Sequence, residues 1–209
     1  MDTLTDTERA YLAALEHGDH AEADRLATLI EHKDNERRAR LAAPGALAAA
    51  ALWSAQQGIA VFPLRPHAKI PLTGTHGFKD ASADPAAVAA WWAEHPDANI
   101  GAPTGLTFDV IDVDGPAGYR SLADLRERDL IPTVYASVKT PRGTHLYMAV
   151  TGDGNTAGLR PGIDVRGLGG YVVVPPSVNG DGRYYSWSTP LTPDVLVALR
   201  AAAARSDAA

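Results

Sequence analysis

The segment FDVIDVDG, residues 108–115, ends an apolar run with two aspartates one residue apart. The run is long enough for a buried strand, and alternate side chains of a strand lie on the same face. Asp112 and Asp114 are therefore predicted to point the same way, with their Cα atoms about 6–7 Å apart. Two carboxylates at this separation repel each other, so the pair needs a cation or a solvated position.

This pair has two interpretations when the segment is taken alone. Carboxylate oxygens at a strand end suit Mg²⁺ or Mn²⁺, which also bind substrate phosphates. Alternatively, the strand ends at Ile111 and the acids begin a turn into GPAG, because Asp and Gly are common turn residues.

The segment KTPRGTHLYM, residues 139–148, has the pattern of a β-hairpin with Lys139, Arg142 and His145 at its turn. Gly143 and Thr144 add backbone N–H groups where the chain bends. Cations and backbone donors beside a carboxylate-metal site are what a triphosphate requires, so the segment predicts a phosphate-binding turn. The alternative for His145 is a purely structural role.

The segment RPGIDVRG, residues 160–167, places Asp164 in a short strand between two apolar residues. Arg160 and Arg166 are close to it in sequence. Asp164 is therefore a candidate third metal ligand, with the arginines facing phosphates or a template. The alternative is an ordinary surface ion pair of small energetic value.

Short strands with few intervening helices predict an α+β fold with a mixed sheet in residues 44–209. One of the predicted helices has Asp84 as its N-cap and Pro85 in its first turn. It carries Trp91 and Trp92, which are predicted to be core residues. Residues 1–43 are predicted to form a helical extension that begins with a capping box of Thr5 and Glu8. The extension is either a solvated hairpin or a polyanion contact through RRAR, residues 37–40.

Composition excludes several classes of function. The chain has no cysteine, so disulfides, a thiolate zinc site and a cysteine nucleophile are all excluded. The net charge of -6 argues against tight nucleic-acid binding through a generally basic surface. No apolar stretch is long enough to span a bilayer and no signal-peptide pattern opens the chain, so a cytoplasmic location is expected.

Several of these segments together resemble a known family, the bifunctional DNA primase/polymerase domains of the archaeo-eukaryotic primase superfamily. The matching text is GIAVFPLRPHAKIPLT, GFKDASADPAAVAAWWAEHPDANIGAPTG, VIDVDG, TPRGTHLYM, GLRPGIDVRGLGGYVVVPPS and GRYYSW, within residues 45–190. Such domains occur in phage, plasmid and bacterial replication proteins. The resemblance implies a two-lobed fold, with an N-terminal α/β unit packed on a modified RNA-recognition-like sheet that carries the active site.

The resemblance also implies roles for individual residues. Asp112 and Asp114 match the first family motif and Asp164 the third, and all three would hold two Mg²⁺ or Mn²⁺ ions. His145 closes the second motif, where it would contact the phosphates of an incoming nucleotide. Gly143 stands where a serine is commoner, so a hydroxyl contact of relatives is expected to be missing. The further candidates for nucleotide binding are Lys139, Arg142, Thr144, Lys69 and Arg166, and Arg160 is the candidate for nucleic-acid binding.

The implied activity is template-dependent primer synthesis and DNA polymerisation. The expected partners are a single-stranded DNA template and primer, NTPs or dNTPs, and a helicase domain in a longer polypeptide; no zinc is expected. Two alternatives remain. A DxD nucleotide-sugar transferase uses Asp112 and Asp114 only, and a catalytically inactive module binds single-stranded nucleic acid on the same sheet.

Overall fold

The computed structural model describes residues 5–206, with the side chains of Arg38, Arg205 and Ser206 outside the description. The chain divides into two compact units after Pro44. The alternative interpretation of residues 37–40 as a polyanion contact falls partly outside the described side chains, because Arg38 is one of these residues. No helix within residues 5–206 is both long and apolar enough to cross a bilayer.

The first unit contains two helices, α1 (Asp6–Glu16) and α2 (His20–Leu41). The predicted capping box is confirmed, because the Glu8 backbone N–H donates to the Thr5 hydroxyl at 3.2 Å and the Thr5 N–H donates to the Glu8 carboxylate at 2.7 Å. A small apolar cluster of Ala14, Ala23 and Leu26 holds the two helices together.

The second unit contains four α-helices and one short 3-10 helix. Their bounds are Ala46–Gln56 (α3), Gly77–Asp80 (3-10), Pro85–Glu94 (α4), Gly115–Glu127 (α5) and Pro193–Ser206 (α6). The predicted start of α4 is confirmed: Asp84 accepts a hydrogen bond from the Ala86 N–H at 3.0 Å, and Pro85 occupies the first turn. Trp92 is buried in the core and Trp91 packs against it, also as predicted.

Nine strands of the second unit form two sheets. The strands are Phe62–Leu64 (β1), Asn99–Pro103 (β2), Asp109–Asp114 (β3), Ala136–Lys139 (β4), Gly143–Met148 (β5), Thr156–Arg160 (β6), Ile163–Arg166 (β7), Tyr171–Val174 (β8) and Ser186–Thr189 (β9). The smaller sheet has the order β1-β2-β8 and the larger one the order β6-β7-β3-β5-β4-β9. All strand ladders in this part of the chain are antiparallel, where a mixed sheet was predicted.

One hydrophobic core lies between the two sheets. Phe62 and Ile100 enter it from the smaller sheet, and Val110 and Tyr147 enter it from the larger one. A second cluster covers the opposite face of the larger sheet, where Ile111, Val113 and Leu122 of α5 meet. The larger sheet is thus covered on both faces, which fits the apolar residues that β3 presents to each side, Val110 on one and Ile111 and Val113 on the other.

Strand β3 lies inside the larger sheet and continues through both aspartates to Asp114, after which α5 begins at Gly115. The interpretation that the strand ends at Ile111 is therefore wrong. The ladder to β5 continues as far as the pair of Asp114 and Gly143, and this pairing keeps the last two residues extended. Asp112 and Asp114 consequently share the face that Val110 turns towards the core.

Candidate active site

Three of the predicted site residues form one row across the larger sheet. Asp112 on β3 is the register partner of His145 on β5 and of Asp164 on β7. Directly opposite residues on antiparallel strands have their side chains on the same face. Strand order therefore brings His145, Asp112 and Asp164 together from three separate parts of the sequence.

Asp112 is the electrostatic centre of this row. Its Oδ1 lies 3.4 Å from His145 Nε2, and both side chains are largely buried. Burial opposes ionisation of the Asp112 carboxyl, but the His145 hydrogen bond and the charges of His145, Arg166 and Lys69 outweigh it, so its pKa lies below the ordinary value. Asp112 is therefore an anion at neutral pH.

Arg166, at the end of β7, connects the two acids of the row. Its Nη2 lies 2.8 Å from Asp164 Oδ2 and 3.5 Å from Asp112 Oδ2. The other oxygen of Asp164 accepts a hydrogen bond from the Gly158 N–H at 2.8 Å. The expected ion pair is thus part of the row and not an isolated surface contact.

Asp114 lies at the rim of the same face, beside the turn between β4 and β5. Its Oδ2 is 3.5 Å from Arg142 Nη2, and the Gly115 N–H donates to the Arg142 carbonyl at 3.0 Å. A Cβ built on Gly143 would lie 1.8 Å from the Val113 carbonyl oxygen. The close approach of β3 and β5 therefore requires glycine where the related motif commonly has serine.

A loop from the smaller sheet carries Lys69 towards the row. The Tyr171 hydroxyl donates to the Lys69 carbonyl at 2.9 Å, and the buried Asn99 side chain donates to the carbonyls of Ala68 and Val178 at 3.0 and 2.7 Å. Asn99 also accepts from the Val178 N–H at 3.0 Å. These hydrogen bonds hold the loop backbone at Ala68 and Lys69. The Lys69 charge contributes to the low pKa of Asp112.

Polar atoms without partners lie buried beside Asp112. Within the described residues, no hydrogen-bond partner reaches His145 Nδ1 or the hydroxyls of Tyr147 and Tyr185. Burial and the charges of Asp112 and Asp114, opposed by Arg142, raise the pKa of Tyr185 to about 12. Burial and the charge of Asp112 also raise the pKa of Tyr147. Both tyrosines are therefore neutral at physiological pH.

The structure does not bring three of the predicted residues to this face. Thr144 is paired with Val113 and Lys139, so it lies on the opposite face, and its hydroxyl donates to the Val138 carbonyl at 3.0 Å. Lys139 shares that face because it is opposite Thr144. Arg160 is exposed at the end of β6 and donates to the Leu159 carbonyl at 3.0 Å. The alternation of side chains along β5 separates Thr144 from His145.

The side chains of the row suit a divalent cation in chemical type, because Mg²⁺ and Mn²⁺ prefer carboxylate oxygens. In the arrangement described for residues 5–206, however, no three His, Asp or Glu side chains form a group that could hold a metal ion. Arg166 supplies the positive charge between Asp112 and Asp164 instead. The carboxylate oxygens are thus of the type that the metal ion prefers, but the Arg166 guanidinium lies between those of Asp112 and Asp164.

A comparison with protein families identifies the second unit. The family model described as the N-terminal domain of bifunctional DNA primase/polymerases matches residues 51–199. The chain belongs to this family. No curated protein matches the sequence significantly.

Membership confirms the resemblance found in the sequence and implies primase/polymerase activity with DNA and nucleotides as substrates. The matched residues of this primase/polymerase domain run from within α3 to within α6 and include the whole row. Its helices and antiparallel sheets are consistent with a primase-type domain. Metal, nucleotide and template roles of single residues are predictions that the match does not address.

Asn99, Tyr171 and Tyr185 belong to the surroundings of the row, although the sequence did not single them out. Asn99 carried a usable signal, since asparagine is disfavoured in strands and this one opens a run of buried residues. Tyr171 and Tyr185 carried none, because aromatic residues in short strands usually indicate core packing.

Proposed function

We propose that this domain is a template-dependent nucleotidyltransferase that synthesises primers and extends them as a DNA polymerase. The observation that supports this function is the row itself, in which Asp112 lies directly between His145 and Asp164. The parent protein would be a phage, plasmid or bacterial replication protein in the cytoplasm, with a helicase domain in the same polypeptide. Residues 1–43 would be an extension outside the catalytic domain.

Asp112, Asp114 and Asp164 would hold two Mg²⁺ or Mn²⁺ ions. When bound, such ions neutralise the charge of a triphosphate and make a primer hydroxyl a better nucleophile. The primer hydroxyl releases its proton to solvent as its oxygen forms a bond to the α-phosphorus of the incoming nucleotide, and the bond from that phosphorus to pyrophosphate breaks, so that pyrophosphate leaves. The low pKa of Asp112 keeps its carboxylate ionised for this role.

The cations around the row would bind and orient the phosphates. His145 presents Nε2 beside Asp112, and Arg142 is mostly exposed next to Asp114, where a phosphate can reach it. Lys69 is carried on a loop whose backbone is fixed by hydrogen bonds. Charge-assisted hydrogen bonds from such groups are stronger than neutral ones, and fixed donors lose little entropy when they bind.

Primer and single-stranded template would lie along the exposed rim of this face. Arg160 is the candidate for template phosphates, and like Lys139 it is exposed outside this face and does not reach the row. Such contacts to the backbone depend on salt and carry no base specificity.

A second candidate function is a catalytically inactive module that binds single-stranded nucleic acid. Two observations favour it: each oxygen of Asp164 already has a protein partner, Arg166 or the Gly158 N–H, and the described residues contain no group of three His, Asp or Glu side chains that could hold a metal ion. A nucleotide-sugar transferase uses only Asp112 and Asp114. It leaves the alignment of Asp164 and His145 with Asp112 without a role, so we do not propose it.

Incorporation of labelled nucleotides on a single-stranded template tests the proposal. Wild type is supplied with NTPs or dNTPs and with Mg²⁺ or Mn²⁺, and is compared with Asp112→Asn and Asp114→Asn. The matched control is Asp124→Asn, which removes an exposed carboxylate of α5 that pairs with Arg128. We expect a loss of ~100-fold or more in the two site variants and almost none in the control.

Two other results would decide against this assignment. Full activity in Asp112→Asn and Asp114→Asn would show that these residues are not the metal ligands. Binding of single-stranded DNA by wild type without incorporation of any nucleotide would identify the inactive module instead.

A further inference from the structure

Arg166 occupies the position between the two acids that the proposed reaction requires to be free. Its guanidinium lies 2.8 Å from Asp164 and 3.5 Å from Asp112, and about a third of the side chain is exposed (34%). A partly exposed arginine of this kind can move its guanidinium from the two carboxylates to solvent or to a phosphate. Its position is therefore compatible with exchange.

The four carboxylate oxygens of Asp112 and Asp164 all have protein contacts. Arg166 faces one oxygen of each acid, His145 Nε2 faces the other oxygen of Asp112, and the Gly158 N–H donates to the other oxygen of Asp164. Without a cation between them, two carboxylates directly opposite each other on neighbouring strands would repel. Arg166 thus keeps the two acids paired when no metal ion is bound.

A divalent ion and a guanidinium cannot both occupy this space. Like charges a few ångströms apart in a half-buried site repel strongly, because the surroundings screen less than water does. A metal ion that binds both acids must displace Arg166 from at least one of them. The displaced guanidinium remains on β7, beside the row where the triphosphate would lie.

We propose that Arg166 is a positioning residue that holds Asp112 and Asp164 until a divalent ion takes its place, and that it then binds a nucleotide phosphate. The inference rests on the proposed function, because it assumes that these two acids bind the metal. The exchange makes metal binding weaker than the bare acids would allow. It also provides the phosphate-binding guanidinium only after the metal has bound.

Mn²⁺ titration of the full chain, without nucleotide, tests the exchange through the electron paramagnetic resonance signal of free Mn²⁺. The variants are Arg166→Gln, which removes the charge, and Arg166→Lys, which keeps a charge but cannot contact both acids through a planar fork. Arg128→Gln is the matched control, because it removes one positive charge from an exposed side chain that pairs with Asp124 and not with the acids of the row.

The exchange predicts that Arg166→Gln binds Mn²⁺ at least about tenfold more tightly than wild type, that Arg166→Lys has an intermediate affinity, and that Arg128→Gln changes the affinity by less than about twofold. Circular dichroism and thermal unfolding of each variant establish that the fold is intact. Since Arg166→Lys keeps a positive charge beside the acids, it serves if Arg166→Gln does not fold.

A second titration tests the fate of the released guanidinium. At saturating Mn²⁺, binding of a deoxynucleoside triphosphate with a non-hydrolysable α,β-bridge is expected to weaken by about tenfold in Arg166→Gln. One substitution would then change the two affinities in opposite directions, which a purely structural role would not produce. Unchanged nucleotide affinity would overturn the second half of the proposal.

The outcomes separate this inference from the function on which it rests. If Asp112→Asn abolishes Mn²⁺ binding but Arg166→Gln binds Mn²⁺ no more tightly than wild type, the exchange is overturned and the metal site stands. If wild type binds no Mn²⁺, or if Asp112→Asn leaves binding unchanged, the metal assignment is wrong and the exchange falls with it.

Discussion

His145 Nε2 on β5 lies 3.4 Å from Asp112 Oδ1 on β3, and the two side chains are 6% and 14% exposed. Burial alone would raise the pKa of Asp112, and His145 contributes the largest opposing interaction. The contact therefore has two roles in the proposed reaction. It keeps Asp112 ionised and it holds a phosphate-binding side chain beside the metal ligands.

Replacement of His145 by phenylalanine is expected to move the acid limb of the pH–rate profile to higher pH. His145 lowers the pKa of Asp112, so its removal raises that pKa, and the carboxylate is protonated at a higher pH than in wild type. The measurement is kcat/KM for primer extension as a function of pH. Tyr185→Phe is the control, since it removes a hydroxyl that makes no hydrogen bond within the described residues. An acid limb that does not move in His145→Phe would show that this contact does not set the pKa.

Serine at position 143, the residue common in the related motif, is expected to destabilise this chain. A Cβ there would lie 1.8 Å from the Val113 carbonyl oxygen, a backbone atom that cannot move without disturbing the β3–β5 ladder. We expect Gly143→Ser to lower the free energy of unfolding by about 1–3 kcal/mol or more. Denaturant unfolding measures the loss.

Gly154→Ala is the matched control for this prediction. Its added Cβ would meet only the Leu168 carbonyl oxygen at 3.8 Å, an ordinary contact distance. Its effect should stay within about 0.5 kcal/mol. Equal stability of Gly143→Ser and wild type would mean that β3 and β5 approach each other less closely than described.

Asn99 is expected to control nucleotide affinity through the loop that carries Lys69. Asn99→Leu leaves the carbonyls of Ala68 and Val178 and the Val178 N–H without the side-chain partner, at a cost of roughly 2 kcal/mol or more. The loop then no longer holds Lys69 near Asp112. We expect the KM for nucleotide to rise several-fold, with a smaller change in kcat.

Two comparisons make this test specific. Tyr171→Phe removes one hydrogen bond to the Lys69 carbonyl, so it should change stability by only about 0.5–1.5 kcal/mol and raise KM less. Lys69→Gln should reproduce the KM effect of Asn99→Leu without its loss of stability. If Asn99→Leu loses stability but its KM for nucleotide is unchanged, Asn99 has a structural role only.

Much of the second unit could be predicted from its local sequence. The strand pattern of FDVIDVD and the N-cap at Asp84 depend on residues a few positions apart, and the structure has both as expected. Strand β6 was missed, because its five residues TAGLR are all exposed and include only two apolar side chains, of Ala157 and Leu159, on either side of a glycine. The antiparallel arrangement of the larger sheet was missed as well, since strand order is decided by long-range pairing.

For the row of side chains, too, some features could be predicted from neighbouring residues, and others depend on long-range strand pairing. That Asp112 and Asp114 share a face follows from strand periodicity, which sequence reveals. The partnership of Asp112 with Asp164, and the place of Arg166 between them, depends on the register of β3 with β7. Register also decides which face Thr144 occupies, and a shift of one residue reverses that assignment. The sequence therefore proposed Thr144 and His145 together, although only His145 lies in the row.

If Asp112 and Asp164 act as one unit in nucleotide transfer, their substitutions will not be additive. The measurement is the single-turnover incorporation rate at saturating Mn²⁺ for Asp112→Asn, Asp164→Asn and the double variant. We expect each single change to lower the rate by ~100-fold or more, and the double variant to be about as slow as the slower single variant. A wild-type rate in Asp164→Asn, or losses that multiply in the double variant, would contradict this expectation.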